Sequence, residues 1–275
     1  MKLTEMKQIL SSGQIQLTKS LGQNFLHDGN QLRRIAGAGE LTKTDRVLEV
    51  GPGLGPLTEL LVEQAGEVLA IEKDRRLFEV VQTRLVNATN FSVLHDDALD
   101  FLRRERRDWS DWKMVANLPY SVASPILVEL AQARGCPQRL VATLQLEVGR
   151  RLVALGGEDD YGVLSLLMQL RYEARSHFKI PAECFFPAPE VDSACVVLVR
   201  RETPLLPFEL HMRFEHLVKL SFSQRRKMMM KLLKQEWPAE KLAQIFEQMG
   251  ISPQIRAERV TLEQFVELTK LLASE

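Results

Sequence analysis

The tetrapeptide Asn117-Leu118-Pro119-Tyr120 carries residue types suited to chemistry on an exocyclic amine such as adenine N6. This amine is a poor nucleophile because its lone pair is delocalised into the ring, so a reactive site needs acceptors that hold the nitrogen. The side-chain oxygen of Asn117 and the backbone carbonyl of Leu118 can do so, Pro119 fixes the backbone, and Tyr120 can stack on an extruded base. The alternative is an ordinary β-turn, in which Asn and Pro occupy habitual positions.

A glycine-rich turn follows the first candidate strand. Gly51, Gly53 and Gly55 are spaced as Gly-x-Gly-x-Gly, and Glu49 stands just ahead of them. Glycine permits positive φ and lets a ligand approach the backbone closely. Dinucleotide-binding enzymes instead use Gly-x-Gly-x-x-Gly, which leads a helix N-terminus onto a pyrophosphate. The tighter spacing resembles the turn with which class I methyltransferases bind S-adenosylmethionine; an ordinary strand-to-helix turn and a nicotinamide dehydrogenase are the alternatives.

Carboxylates follow the next two candidate strands. Glu72 closes the second strand, where it can accept hydrogen bonds from both hydroxyls of a ribose. Asp96 and Asp97 follow the third strand, where a carboxylate can bind the amine of the cofactor's adenine and where one of the two can serve only as a helix cap. The carboxyl edge of an open α/β sheet is where such folds hold their ligands, so these groups predict a nucleoside-binding site.

The elements that must position these residues are short apolar runs that alternate with helical stretches from residue 46 to residue 200. This alternation predicts a mainly parallel sheet covered on both faces. The candidate strands are 47–50, 68–71, 91–94, 114–116, 140–144 and 193–199. After Arg200 the apolar residues recur at helical spacing. We expect an α/β, Rossmann-like class I methyltransferase domain over 1–203 and a small, all-helical C-terminal domain over 204–275.

The charge balance argues against a globally basic surface, because 36 Lys and Arg residues face 36 Asp and Glu residues. Two basic clusters nevertheless stand out, one from Arg103 to Arg107 and one from Arg225 to Lys234. Either can be a phosphate-binding surface or a solvated helix face. Nucleic-acid binding, if present, must therefore come from a local patch.

Several other classes of protein are excluded by the composition. The three cysteines, Cys136, Cys184 and Cys195, are widely spaced and indicate neither a disulfide framework nor a zinc site. The five histidines lack metal-ligand spacing with a third ligand, so we expect no metal site. No apolar run approaches the length of a membrane-spanning helix, and the first ten residues are too polar for a secretory signal. We expect a cytoplasmic protein with no membrane partner.

The chain resembles, over nearly its whole length, the bacterial small-subunit ribosomal RNA adenine N6,N6-dimethyltransferase family. The resemblance rests on the glycine-rich turn, the Asn117–Tyr120 loop, Gln23-Asn24-Phe25-Leu26, Phe185-Phe186-Pro187-Ala188-Pro189-Glu190-Val191-Asp192-Ser193 and Ser221-Phe222-Ser223-Gln224-Arg225-Arg226-Lys227. It implies S-adenosylmethionine as cofactor and small-subunit ribosomal RNA, within a pre-ribosomal particle, as substrate. We expect the enzyme to be a monomer.

The resemblance also assigns roles to individual residues. Contacts with the cofactor are implied for Gln23, Asn24, Leu26, Gly51, Gly53, Glu72, Asp97 and Asn117. Asn117, Leu118 and Tyr120 are expected to hold the target adenosine, and Phe185 to stack on the other face of its base. The implied RNA-binding residues are Arg225, Arg226 and Lys227. Leu146 and Glu190 depart from the family, because relatives commonly carry Lys at both positions.

Two further interpretations stay open. A related large-subunit RNA methyltransferase that confers macrolide resistance shares the glycine-rich turn and an Asn-x-Pro loop, although the segments from Phe185 to Ser193 and from Ser223 to Lys227 favour the small-subunit enzyme. A non-catalytic RNA-binding or transcription factor on the same fold is the alternative from another class. The intact residues Gly51, Glu72, Asn117 and Tyr120 argue against lost catalysis.

Overall fold

A seven-stranded sheet forms the framework of the fold; the structure, a computed structural model, describes residues 1, 3–12, 15, 23–224 and 226–274. The strands are β1 (Phe25–Leu26), β2 (Arg46–Val50), β3 (Glu67–Glu72), β4 (Phe91–His95), β5 (Trp112–Asn117), β6 (Arg139–Gln145), β7 (Tyr172–Ile180), β8 (Phe185–Phe186) and β9 (Ser193–Arg200). The sheet order is β4-β3-β2-β5-β6-β9-β7, while β1 pairs with β8. Neighbours from β4 to β6 are parallel, and β9 is antiparallel to β6. The mainly parallel α/β architecture predicted from the sequence is thus confirmed.

Helices connect the strands and make up most of the C-terminal part. They are α1 (Leu3–Ser12), α2 (Gly29–Ala38), α3 (Pro56–Gln64), α4 (Arg75–Arg84), α5 (Ala98–Glu105), α6 (Ala123–Gln132), α7 (Leu146–Val153), α8 (Val163–Gln169), α9 (His211–Ser221), α10 (Met229–Leu233), α11 (Ala239–Gln248) and α12 (Leu262–Ala273). No helix in the described part of the chain is long and apolar enough to cross a membrane.

The starts of three helices are fixed directly after the carboxyl ends of parallel strands. Asp74 and Asp97 precede α4 and α5 and accept hydrogen bonds from the first backbone N–H groups of those helices. Gly55 precedes α3 with a φ of 85°, and Pro56 begins that helix, where its missing N–H is no loss. The loops after β2, β3 and β4 are therefore short and share one edge of the sheet.

The core of the first unit lies between α2, α3 and one face of the sheet. Its fully buried apolar side chains include Leu32, Ile35, Leu57, Leu61, Val47, Val68, Val115 and Val141. Removal of this much apolar surface from water is the main force that stabilises the arrangement. The strands that carry the loops of the site are thus packed against α2 and α3 on one face of the sheet.

Two compact units divide the chain differently from the expected boundary at residues 203 and 204. Met1–Gly149 and Ala174–Arg200 form the first unit, and Arg150–Glu173 joins Arg201–Glu275 in the second. The segment 150–173 belongs there because its side chains and backbone bond to later residues. Tyr161 Oη donates to the carbonyl of Val260 at 2.9 Å, and the N–H of Gly157 donates to the carbonyl of Glu258 at 2.8 Å.

Aromatic side chains form the centre of the second unit. Phe214, Phe246 and Phe265 are fully buried, and the ring of Phe222 stacks on that of Phe265 at a centroid distance of 6.1 Å. Thr261 and Gln264 form a capping box that begins α12. In its described residues this unit is helical, apart from the first two residues of β7.

Candidate active site

A cavity opens at the carboxyl ends of β2, β3 and β5, where the loops of the first unit converge. Ten of the residues predicted to form the site line it: Gln23, Asn24, Leu26, Gly51, Gly53, Glu72, Asp97, Asn117, Leu118 and Tyr120. Pro119, Glu49 and Phe25 also line it. Residues almost a hundred positions apart in the chain therefore meet in one concave, largely apolar site with a few convergent polar groups, which is the usual form of a small-molecule site.

The glycine-rich turn needs glycine for its backbone conformation and for space. Gly51, Gly53 and Gly55 all have positive φ, at 70°, 59° and 85°. A Cβ atom on Gly53 would lie 2.9 Å from Cε1 of Phe25, which is closer than side chains approach. The turn therefore brings bare backbone to the cavity wall, as the sequence predicts.

Glu72 is almost fully buried and is bonded to the backbone of the turn. Its Oε2 accepts from the N–H of Gly53 at 3.1 Å, and its Oε1 accepts from the N–H of Asp74 at 2.9 Å. Burial raises the pKa of this carboxyl above its ordinary value. Glu72 therefore fixes the loop geometry in addition to facing the cavity, and its contact with a ribose stays a prediction.

Glu49 is a second buried carboxyl beside the cavity, to which the sequence assigns no separate role. Its side chain is 1% exposed, and among the described atoms its Oε2 has no hydrogen-bond partner. Burial, with a further contribution from the charge of Glu72, raises the pKa of Glu49 to about 8. The group is therefore neutral at pH 7 in the protein alone, and a cation in the cavity would favour its ionised form.

Asn117 ends β5 and presents an unpaired acceptor. Its Nδ2 donates to the backbone carbonyl of Asn24 at 3.2 Å, which fixes the orientation of the amide. Its Oδ1 is buried and has no hydrogen-bond partner within the described residues. A buried acceptor without a partner costs about 1–3 kcal/mol, so such atoms mark places where a ligand supplies the missing donor.

The loop after Asn117 is held at both ends. The N–H of Leu118 donates to the carbonyl of Thr143 at 3.0 Å, and the N–H of Val122 donates to the carbonyl of Pro119 at 3.1 Å. Tyr120 lines the cavity, and its Oη lies 2.6 Å from Oγ of Ser193. Burial raises the pKa of Tyr120, so its hydroxyl stays protonated and can act as donor or acceptor.

Asp97 caps α5, which is one of the two roles that the sequence left open. Its Oδ1 accepts from the N–H groups of Leu99 and Asp100 and so caps α5, while its Oδ2 pairs with Nζ of Lys73 at 2.7 Å. Asp96 also lines the cavity and pairs with Arg104. The choice of Asp97 as the adenine contact stays a prediction.

The segment Gln23–Leu26 is hydrogen-bonded to the loop after β3. Nε2 of Gln23 donates to Oδ2 of Asp74 at 3.0 Å, and Arg76 pairs with the same carboxylate. The Arg76 guanidinium and, secondarily, Gln23 lower the pKa of Asp74 to about 2. Gln23 and Asn24 thereby form one wall of the cavity.

Phe185, which is predicted to stack on the target base, is not among the residues that line the cavity. Phe185 pairs with Leu26 across β1 and β8, is 2% exposed and packs in the core of the first unit. Successive side chains of a strand point to opposite sides, so the neighbouring Phe186, and not Phe185, lies beside Phe25. The stacking role of Phe185 stays a prediction.

The two basic clusters differ in how their charges are used. Arg103 pairs with Glu129, Arg104 with Asp96, and the guanidinium of Arg107 lies over the rings of Trp109 and Trp112. In the second unit Arg226, Lys227, Lys231 and Lys234 are exposed, and none of them forms an ion pair within the described residues. Arg225 lies outside the described residues. In the second cluster, none of the four described cations is paired with a carboxylate, whereas two arginines of the first cluster are.

Comparison with known proteins gives consistent matches over the whole chain. The family described as Ribosomal RNA adenine dimethylase matches residues 14–274. The protein named Ribosomal RNA small subunit methyltransferase A from Latilactobacillus sakei is 39% identical over 277 residues, which cover 97% of this chain and 93% of that protein. The protein of the same name from Geobacter sulfurreducens is 38% identical over 267 residues, with coverage of 94% and 97%.

Solved structures show the same fold. The 23S rRNA methyltransferase ErmE is 29% identical with a TM-score of 0.71, over 90% of this chain and 99% of that chain. A dimethyladenosine transferase from Plasmodium falciparum has a TM-score of 0.76 at 24% identity, over 89% of this chain and 95% of that chain. The arrangement of sheet and helices described above is thus the fold of these two solved structures.

Proposed function

Because the chain belongs to the ribosomal RNA adenine dimethylase family, we propose that it transfers methyl groups from S-adenosylmethionine to N6 of adenosines in small-subunit ribosomal RNA. The proposal includes two transfers to each target nitrogen, during assembly of the small subunit in the cytoplasm, by a monomeric enzyme. The relatives named for the small subunit are more similar to this chain than the large-subunit enzyme ErmE, which favours the small-subunit substrate.

The unpaired Oδ1 of Asn117 carries the proposal. An amine with two N–H groups is the complementary donor, and an acceptor that holds one of them localises the nitrogen lone pair for attack. The interaction strengthens as the nitrogen becomes more acidic in the transition state, so it lowers the barrier more than it favours substrate binding. The carbonyl of Leu118 is the second proposed acceptor. The presence of this group also argues against a purely non-catalytic factor on this fold.

The residues around the cavity fit S-adenosylmethionine, which supplies an electrophilic methyl group on a sulfonium when bound. Glu72 and Asp97 are the proposed acceptors for a ribose and an adenine, and the glycine-rich turn allows the ligand to approach the backbone. Glu49 is a buried carboxyl without a full set of partners, which suits a cationic ligand. The other proposed contacts are Gln23, Asn24, Leu26, Gly51 and Gly53, all of which line the cavity.

RNA binding is proposed for the second unit, through its exposed and unpaired cations. Arg226 and Lys227 belong to the motif that predicts this role, and Lys231 and Lys234 extend the same cluster. The role predicted for Arg225 is retained as part of the proposal. The expected functions of the two domains are thus carried by the two compact units, with 150–173 added to the second.

A methyl-transfer assay tests the function. The protein is incubated with labelled S-adenosylmethionine and small ribosomal subunits from a strain that lacks this modification, and the labelled nucleosides are separated and mapped. We expect N6,N6-dimethyladenosine in small-subunit RNA. Label in large-subunit RNA alone would favour the macrolide-resistance class, and the absence of transfer together with the absence of cofactor binding would favour a non-catalytic factor.

A further inference from the structure

A hydrogen bond between two hydroxyls links the catalytic loop, Asn117–Tyr120, to β9, a strand that has no role in the proposed chemistry. Oη of Tyr120 lies 2.6 Å from Oγ of Ser193, and the two residues are 73 positions apart. Ser193 is 0% exposed, whereas Tyr120 is partly exposed and lines the cavity next to Asn117. One partner of this bond is thus fixed in the core, and the other faces the site.

The position of Ser193 is set by the sheet. Ser193 is the first residue of β9 and pairs with Gln145 in β6, and Thr143, two residues earlier in β6, pairs with Asn117 in β5. The carbonyl of Thr143 also accepts from the N–H of Leu118. The strand that anchors the start of the catalytic loop therefore lies directly beside the residue that anchors the ring of Tyr120.

A tyrosine side chain has two rotatable bonds, and the preference about the second, which sets the tilt of the ring, is broad. A hydrogen bond from its far end to a buried, immobile hydroxyl removes that freedom. Because Ser193 is fully buried, water cannot replace the lost partner of its hydroxyl if the bond is broken. The bond therefore suits a ring that must present one face in a fixed orientation.

We infer that Ser193 is a positioning residue, which holds the ring of Tyr120 at the angle needed to stack on the target adenine while Asn117 holds its amine. The inference rests on the proposed function and adds to it a residue that acts through Tyr120 and does not touch the substrate. Loss of the bond should misplace the base after RNA has bound. Turnover should therefore fall while the affinities for RNA and cofactor stay the same.

The test is a double-mutant cycle with Ser193→Ala and Tyr120→Phe, in which kcat and KM are measured with unmethylated small subunits. Each single variant should lower kcat by about 2- to 12-fold, the range expected for one neutral hydrogen bond. The double variant should be no slower than the slower single variant, because both substitutions remove the same bond. KM for small subunits and the dissociation constant of S-adenosylmethionine should stay within experimental error of the wild type.

A matched control is Thr269→Val, which removes another buried hydroxyl, one that donates to the carbonyl of Phe265 inside α12. It should lower the melting temperature at most and leave kcat unchanged. If Ser193→Ala does not fold, Tyr120→Phe alone carries the test, since it removes the bond and keeps the ring.

Wild-type kcat in folded Tyr120→Phe, or single effects that multiply in the double variant, would overturn the positioning role. Inactive wild-type protein would instead overturn the proposed function, and this inference with it.

Discussion

Removal of the free cations of the second unit should weaken binding of small ribosomal subunits and reduce its dependence on salt. The variant replaces Arg226, Lys227, Lys231 and Lys234 by Ala, all of which are exposed and form no ion pair within the described residues. The chain has no net charge, so there is no global field to compensate for their loss. The loss of affinity for small ribosomal subunits should therefore be large.

The magnitude follows from the number of charges that are available. Each phosphate contact releases condensed counterions, and the slope of log K against log salt concentration changes by about 0.7–0.9 per contact. If all of these four cations contact phosphate, the slope becomes shallower by about 2.8–3.6, and a single contact gives a change of about 0.7. A change anywhere within this range is measurable.

The assay is equilibrium binding of labelled small subunits across a salt series, with the melting temperature and the affinity for S-adenosylmethionine measured on the same preparations. The matched control is Arg103→Ala combined with Arg104→Ala. These arginines are equally part of a basic run but are paired with Glu129 and Asp96. The control should keep the wild-type slope.

Two results would refute this reasoning. An unchanged slope in a folded quadruple variant would place the RNA contacts elsewhere, and a flatter slope in the control would identify the cluster from Arg103 to Arg107 as that place. A lower melting temperature with an unchanged slope would show that the four side chains have a structural role only.

Two further predictions concern the carboxylates of the cavity. Glu72→Gln should weaken binding of S-adenosylmethionine by about 1.5–3 kcal/mol, the scale of charge-assisted hydrogen bonds, and leave RNA affinity unchanged; unaltered cofactor affinity by calorimetry in folded protein would move the ribose contact elsewhere. Burial raises the pKa of Glu49 from 4.5 to about 8. Between these two pH values the folded protein keeps the proton that the unfolded chain has lost. The wild-type free energy of unfolding should therefore fall as the pH rises through this window. Glu49→Gln should remove most of that fall in denaturation curves recorded across the window, and parallel curves for the two proteins would contradict the assignment.

The site could be predicted from the sequence because its polar residues directly follow strongly apolar strands. Glu72, Asp97 and Asn117 stand at or just after the carboxyl ends of β3, β4 and β5, and the parallel order β4-β3-β2-β5 brings those ends to one cavity. The positive φ values of Gly51 and Gly53 likewise follow from their residue type and spacing.

The features that the sequence did not reveal depend on pairing across long separations. The side to which Phe185 points is decided by its register with Leu26 in a two-residue strand, which carries no periodic signal. β7 is an edge strand of the sheet, and its exposed run from Ala174 to His177 lacks the apolar pattern of a buried strand. The bond between Tyr120 and Ser193 requires β9 to lie beside β6, and no local rule indicates it.

The sequence also did not reveal which cations of the two basic clusters are paired with carboxylates, because those partners lie elsewhere in the chain. Arg103 and Arg104 look as free as Arg226 and Lys227 in the sequence, because Glu129 is 26 residues from Arg103 and Asp96 is eight residues from Arg104. Only the folded structure shows that Arg103 and Arg104 are paired with carboxylates. Local composition alone therefore cannot rank two basic runs as RNA-binding surfaces.

The most direct test of the account is the turnover of Asn117→Ala on unmethylated small subunits at saturating S-adenosylmethionine. The substitution removes the unpaired Oδ1 proposed to hold the target amine in the transition state, so kcat should fall by about 100- to 1000-fold, as for other lost transition-state hydrogen bonds. The dissociation constant of S-adenosylmethionine, measured by calorimetry, should change by far less. Near-normal turnover in a folded Asn117→Ala protein would contradict the assignment of this loop as the catalytic centre.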